Sequence, residues 1–298
     1  MGAFLASRIM SDLLSGLANG VLFALVALSL VIIWQSTHVL NFAQGAMAMF
    51  ATYVGLSLID RGLPYWLCVP IAVAVGFIVG GFTERVLVRP LYGKPEINPI
   101  VVMVGFLGIV EAIASAMWGT TPRSIPTPFS VINFRSGSQT IQLSPYVVFQ
   151  ILAALGIMMS VAFIFRFTKL GLQLRASALA PEVARLLGVR VNRMLTIGWM
   201  LSSAVGAVAA IIISSVPNGL YPTNMDNIFI SGFIAAAVGG LESPSGAVVG
   251  GILLGISEQF FTDYGSGSLA PLSGLFLLII VLMVRPQGLF SRSRSRRV

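Results

Sequence analysis

Residues 13–34 read LLSGLANGVLFALVALSLVIIW, 22 consecutive positions without a charge. About 20 predominantly apolar residues carry an α-helix across the hydrocarbon core of a bilayer. A helix apolar on every face belongs in a membrane or in the centre of a large protein. Working outward from this stretch, further apolar runs occupy 39–59, 65–82, 100–118, 145–167, 194–216, 228–241, 247–261 and 269–284. Over all 298 residues, 56% are hydrophobic and only 9% charged, with a mean hydropathy of +0.93. Soluble domains carry about 25% charged residues because their surfaces face water. The apolar runs are continuous, whereas a membrane β-barrel would alternate. The expected fold is therefore all-α, a polytopic transmembrane helical bundle of eight or nine spans forming one transmembrane domain over residues 1–298.

The net charge of +8 does not describe a nucleic-acid binder, because the basic residues are not spread over a face. Fourteen of the 18 fall into three clusters: Arg85, Arg89 and Lys94; Arg166, Lys169, Arg175, Arg185, Arg190 and Arg193; and Arg285, Arg292, Arg294, Arg296 and Arg297. Even numbers of spans separate the clusters, so all three fall on one side of the membrane. The positive-inside rule makes that side the cytoplasm. Residues 286–298 are then a basic cytoplasmic tail within reach of anionic lipid headgroups, and the N-terminus lies outside. No removable signal peptide is expected, since the first ten residues lack a basic region leading to a cleavage site.

Two regions interrupt the apolar pattern, one in each half. Asn41, Gln44 and Gly45 break the second run, and Glu242-Ser243-Pro244-Ser245-Gly246 separates two short, Gly-rich ones. Irregular backbone at membrane depth is tolerated where protein buries it or water reaches it. Broken helices in both halves are the pattern of transporters. Two readings of 228–261 are open: two crossings or a re-entrant pair. Gly76, Gly80 and Gly81 read as small residues that let helices approach closely.

No enzyme chemistry is visible in the sequence. His38 and Cys68 are the single histidine and the single cysteine, which excludes a metal centre with ordinary ligand spacing and an intrachain disulfide. The carboxylates are dispersed, one to a segment. There is no G-x-x-x-x-G-K-[ST] phosphate loop; Gly93-Lys94-Pro95 lacks the upstream glycine and the hydroxyl residue. The chain is expected to bind no cofactor of its own. Ionisable groups on spans are costly and tend to be functional, which singles out Glu111 and, less so, Glu258. Asn19, Asn41 and Gln44 are uncharged polar groups on spans, and either line a pathway or clip helices together.

Residues 168–193 are the longest charged segment. Pro181-Glu182 suits a helix first turn, Val183, Leu186 and Leu187 share one face, and Gly188 is placed to end the helix. Such a short amphipathic helix either lies in the membrane interface or fills a groove on a soluble partner.

At this segment the chain resembles the branched-chain amino acid ABC permeases of the LivH type. Gly171-x-x-x-Arg175-Ala176, Glu182-x-Ala184-x-x-x-Gly188 and Arg193 match the family's cytoplasmic coupling loop. Residues 16–20 and 41–45 resemble its N-terminal signature, and Ala237 to Gly246 with Gly250-Gly251 its C-terminal one. Leu179-Ala180 and Gln44 depart from the usual pattern, which leaves the solute open. The resemblance implies a second, similar permease subunit, two soluble ABC ATPases and an external solute-binding protein. ATP then acts on the partner ATPases, in a multi-pass complex of the bacterial inner membrane. It also implies that Gly171, Arg175, Ala176, Glu182, Ala184, Leu186, Leu187 and Gly188 carry ATPase coupling, with Asn19, Asn41, Gln44 and Glu111 as pathway candidates. The alternatives are a urea or short-amide importer of the same kind, or a self-sufficient secondary transporter or channel using Glu111.

Overall fold

The computed structural model describes residues 2–95, 97–136, 139–140, 143–215, 219–265 and 267–291. Arg292, Arg294, Arg296 and Arg297 of the third basic cluster lie outside the described residues. The helices are α1 (Gly2–Thr37), α2 (Gln44–Asp60), α3 (Tyr65–Thr83), α4 (Ile97–Trp118), α5 (Pro145–Phe167), α6 (Lys169–Leu179), α7 (Pro181–Leu186), α8 (Val191–Ile213), α9 (Asp226–Gly239), α10 (Pro244–Tyr264) and α11 (Ala270–Val284). A π-helical turn (Glu84–Val88) and a 3-10 turn (Arg89–Leu91) continue α3. A small antiparallel hairpin, β1 (Arg135–Ser136) and β2 (Gln139–Thr140), lies in the polar stretch before α5. Five helical stretches are long and apolar enough to cross a membrane: Arg8–Thr37, Tyr65–Leu91, Ile97–Trp118, Pro145–Phe167 and Val191–Ile213. The protein is an all-α membrane bundle, as its apolar runs require.

The chain divides into two compact units. The larger comprises residues 32–128 and 156–229. At its centre α3 lies against α8 with almost no side chain between them. A Cβ on Gly80 would sit 2.5 Å from both Trp199 O and Ser203 Oγ, so a side chain there would force the backbones apart. Small residues are how helices approach in lipid, where apolar burial by itself favours no contact. The expectation for Gly76 and Gly80 holds, since a Cβ on Gly76 would likewise meet Ala207 Cβ at 2.8 Å. Below this crossing Ile33, Val88, Met103 and Trp199 form a closed apolar cluster. The Trp199 indole N–H donates to Thr37 Oγ1 at 3.3 Å.

The other unit comprises residues 1–31, 129–155 and 230–298. Here α1 and α10 run antiparallel: Gly16 faces Ile256, Gly20 faces Ile252, and Ala24 faces Gly251. A Cβ on Gly251 would lie 2.5 Å from Ala24 Cα. Ala27, Val31, Ile234, Ala235, Val238, Leu254 and Val281 form the core of this unit.

The expected break between 239 and 246 is present, and its backbone groups are satisfied. Gly240 takes φ +101° and ends α9. The carbonyls of Val238 and Gly239, orphaned at the helix end, accept from Leu289 N (2.9 Å) and Phe290 N (3.1 Å). Ser243 caps α10 by accepting from Gly246 N at 3.0 Å, with Pro244 at the first helical position. This start makes α10 longer than its apolar run suggests. Its 21 residues span about 31 Å at 1.5 Å per residue, against about 30 Å of hydrocarbon. The 14 residues of α9 span about 21 Å, so α9 is the short member of the pair.

Gly251→Val is expected to lower the thermal unfolding temperature in mild detergent, at a cost of about 1–3 kcal/mol from overpacking. Gly105→Ala, on α4 where nothing lies within 4 Å of the added carbon, should leave it unchanged or raise it slightly. Equal behaviour of the two variants would show that α1 and α10 do not cross this closely.

Candidate functional site

The charged segment between α5 and α8 is an ordered projection. Thr168 caps α6, its hydroxyl accepting from Gly171 N at 3.2 Å while donating to Ile164 O. The chain folds back so tightly that a Cβ on Gly171 would lie 2.5 Å from Ile164 O and Phe165 Cα. Glycine is the residue that fits this corner. Arg175 donates from Nε to Gly171 O at 3.3 Å, and Ala176 O accepts the amide of Ala180, which ends α6.

Beyond this elbow α7 is a six-residue helix with Pro181 and exposed Glu182 in its first turn. Leu187 N donates to Val183 O at 3.0 Å, and Gly188, at φ +79°, lets Val189 N return to Ala184 O at 2.9 Å. Ala184 is the residue that α7 buries, at 2% exposure. Val183, Leu186 and Leu187 stay 54%, 87% and 78% exposed. The expected apolar face therefore exists, and no described residue of this chain covers it.

The polar pathway candidates separate by environment. Asn19 is exposed on α1. Asn41 and Gln44 are each 1% exposed and bonded to one another at the break between α1 and α2. There His38 takes φ +54°, ending α1. Asn41 Oδ1 accepts from Ala43 N at 3.0 Å, and its Nδ2 donates to Gln44 Oε1 at 2.9 Å. Gln44 Nε2 donates to Ser202 O at 3.2 Å, halfway along α8. The start of α2 is thereby pinned to the middle of α8, one of the stretches long and apolar enough to cross a membrane.

Glu111 is not isolated, as the spacing of carboxylates in the sequence suggests. Its carboxyl neighbours that of Asp226, in the first turn of α9, and its Oε1 is buried without a hydrogen-bond partner. Sequence reading missed Asp226 because it lies 115 positions downstream, at the edge of an apolar run. The readable clue was an acid at the start of a helix, where it complements the dipole. Glu258, in the other unit, accepts from Ser231 Oγ at 3.2 Å. Among the described residues no group of three His, Cys, Asp or Glu side chains gathers in metal-binding geometry.

Broken helices at membrane depth, with a rigid amphipathic projection between spans, define a membrane transport protein. The chain belongs to the family described as branched-chain amino acid transport system / permease component, whose model matches residues 13–285. The probable branched-chain amino acid transport permease protein LivH of Methanocaldococcus jannaschii is 32% identical over 288 residues, covering 90% of this chain and 88% of the relative. The high-affinity branched-chain amino acid transport system permease protein LivH of Escherichia coli K12 is 26% identical, covering 97% of each chain. The solved structure of PsaBC from Streptococcus pneumoniae in complex with Fab aligns at a TM-score of 0.50 and 12% identity. It covers 93% of this chain and 92% of that one, a likeness of fold alone.

The acid pair makes a specific expectation about stability. Glu111→Gln and Asp226→Asn should be non-additive in thermal unfolding, with a coupling of about 0.5–3 kcal/mol as found for contacting residues. Additivity within about 0.5 kcal/mol would show that the two carboxyls do not interact.

Proposed function

We propose that this chain is the membrane-spanning subunit of an ATP-binding-cassette importer for branched-chain or related hydrophobic amino acids. An external binding protein delivers the solute, a second and similar permease subunit completes the membrane part, and two soluble ATPases hydrolyse ATP beneath it. The observation that carries this reading is the unburied apolar face of α7. It lies inside a family match that spans nearly the whole chain.

The physical argument concerns Leu186 and Leu187. Two leucines this exposed on a rigid projection favour a site where another surface covers them, since burying each is worth about 1.5–3 kcal/mol. A six-residue helix is short for a membrane-surface anchor but long enough to fill a groove on a soluble partner. Gly171 and Thr168 fix the elbow, and Gly188 fixes the exit, so movement of the docked partner is delivered to the bundle and not lost in a loop. ATP binding to the partner then shifts the bundle between inward- and outward-open states through its different affinity for the two. In this reading the basic clusters and the tail face the cytoplasm of a bacterial inner membrane. Asn41 and Gln44 clip α2 to α8, and Asn19 and Glu111 are the pathway candidates.

A second reading, a secondary transporter working without an ATPase, draws on one observation: Glu111 and Asp226 place two neighbouring carboxyls at a span. Affinity purification of the tagged chain from native membranes in mild detergent separates the two. Two P-loop ATPases and a second hydrophobic subunit are expected to accompany it. A chain that purifies alone and transports in liposomes without ATP would overturn the importer reading.

Leu186→Asp should reduce uptake about tenfold or more, since truncating or charging an interface anchor commonly costs 2 kcal/mol or more, while the chain still inserts in the membrane. Undiminished uptake by this variant would show that α7 does not carry the docking contact.

A further inference from the structure

The segment after α7 leads within a few residues into a buried ionic cluster that none of the coupling or pathway residues includes. Glu84, in the π-helical turn at the end of α3, is fully buried. Its two oxygens accept four hydrogen bonds: Arg89 Nη2 to Oε2 (2.8 Å), Arg89 Nε to Oε1 (3.2 Å), Tyr92 OH to Oε1 (3.2 Å) and Thr196 Oγ1 to Oε2 (2.8 Å). Four is the full acceptor capacity of a carboxylate. Three of the four come from its own segment. The fourth, from Thr196, crosses to the second turn of α8. Arg89 makes the same crossing, donating from Nη2 to Asn192 O (3.2 Å) and Thr196 Oγ1 (2.6 Å).

Thr196 has one hydroxyl proton and two acceptors within reach. One is Glu84 Oε2; the other is Asn192 O on its own helix, at 2.9 Å. Donating to Glu84 ties α8 directly to the carboxylate, and donating to Asn192 O gives up that bond while the hydroxyl stays satisfied and Arg89 alone spans the two segments. A hydroxyl side chain that can return to the carbonyl four residues earlier is an ordinary helix alternative. The hydroxyl is therefore satisfied in either state, while Glu84 holds its fourth bond in only one. The bridge sits where a π-helical turn, a frequent marker of functional sites in helices, meets the helix that follows the docking projection. Burial, reinforced by the charge of Glu84, pushes the Tyr92 phenol well above its ordinary range, so Tyr92 remains a donor to Glu84 at any physiological pH.

We infer that Thr196, held by the Glu84–Arg89 pair, is a positioning residue for energy coupling, linking movement of the α7 projection to α3 through a hydrogen bond that α8 can make or release. The inference rests on the importer reading. When the ATPases draw α7 and the first turns of α8, the bridge carries that displacement to the π-helical turn. Without it, Arg89 alone joins the two segments, and α3 follows α8 less closely.

The test uses the whole importer, with binding protein, reconstituted in liposomes, and reads solute transported per ATP hydrolysed. Thr196→Val keeps shape and the ion pair but removes the bridging proton. It is expected to leave complex assembly and ATP hydrolysis within twofold of wild type and to lower the transport-to-ATP ratio at least fivefold. Thr196→Ser should restore the ratio. Tyr92→Phe removes a bond to the same carboxylate without a link to α8, and should leave the ratio unchanged. Should Thr196→Val fail to assemble, Thr196→Ala removes the same hydroxyl and gives the same reading. An unchanged ratio in the Thr196 variants, or an equal fall with Tyr92→Phe, would overturn the inference while the importer reading stood. Transport by the wild-type complex that needs no ATP would overturn both.

Discussion

In hydrocarbon, a backbone N–H or C=O without a partner costs several kcal/mol, so a chain that leaves the helix at membrane depth must replace each lost bond from within the protein. Much of the polar chemistry of this chain answers that constraint. Between α1 and α2 the Asn41 side chain supplies an acceptor to Ala43 N and a donor to Gln44. Between α9 and α10 the end of α9 is closed by the amides of Leu289 and Phe290, and the start of α10 by Ser243. Between α8 and α9 Leu220 pairs both ways with Arg123 (2.8 and 2.9 Å), while Asn224 donates to Ser214 Oγ at 2.7 Å. The polar residues stand where helices stop, and the breaks put α2 and α9 starts at levels that continuous spans could not reach.

The second constraint is that lipid gives apolar side chains no reason to seek one another. Helix contact must come from close approach, and in each unit it comes from glycine, serine and alanine: Gly80 against Ser203 in one, Gly251 against Ala24 in the other. Contrast α4, where Val101, Val104, Ile109, Ile113 and Met117 are all exposed and Gly105 and Gly108 have nothing near them. Its apolar face suits lipid or a further membrane subunit, and its one ionisable group, Glu111, neighbours Asp226.

Legibility in the sequence followed the range of the interaction. The spans were readable because a 20-residue apolar run is a local pattern, and Pro181-Glu182 was readable as a start because capping is local too. The exposed face of α7 followed from helical spacing. The partner of Glu111 did not, because nothing in residues 100–118 refers to Asp226. Glu84 was hidden in the same way: beside Arg85 and Arg89 it reads as part of a charged boundary, and only the fold of α8 over it makes it a fully buried carboxylate with Thr196 as its fourth donor. The length of α10 was underestimated because its ends are polar, and its cap, Ser243, read only as part of an interruption.

In the importer we propose, the projection transmits force, and the same difference of range explains how it is held at both ends. A six-residue helix lies far below the ~12–15 residues at which an isolated helix becomes marginally stable in water, so α7 owes its shape to its surroundings. It buries Ala184 and is bounded by the Gly171 elbow on one side and Gly188 on the other. If either boundary were flexible, a force applied at Leu186 would be spent in bending the loop. Glycine serves both boundaries through opposite properties. At Gly171 the absent Cβ lets the chain pass close to Ile164 and Phe165, which locks the corner. At Gly188 the positive φ closes the helix with a backbone bond from Val189 to Ala184. Each removes freedom, and in the importer we propose they together make a short helix with an exposed apolar face into the lever that acts on α8.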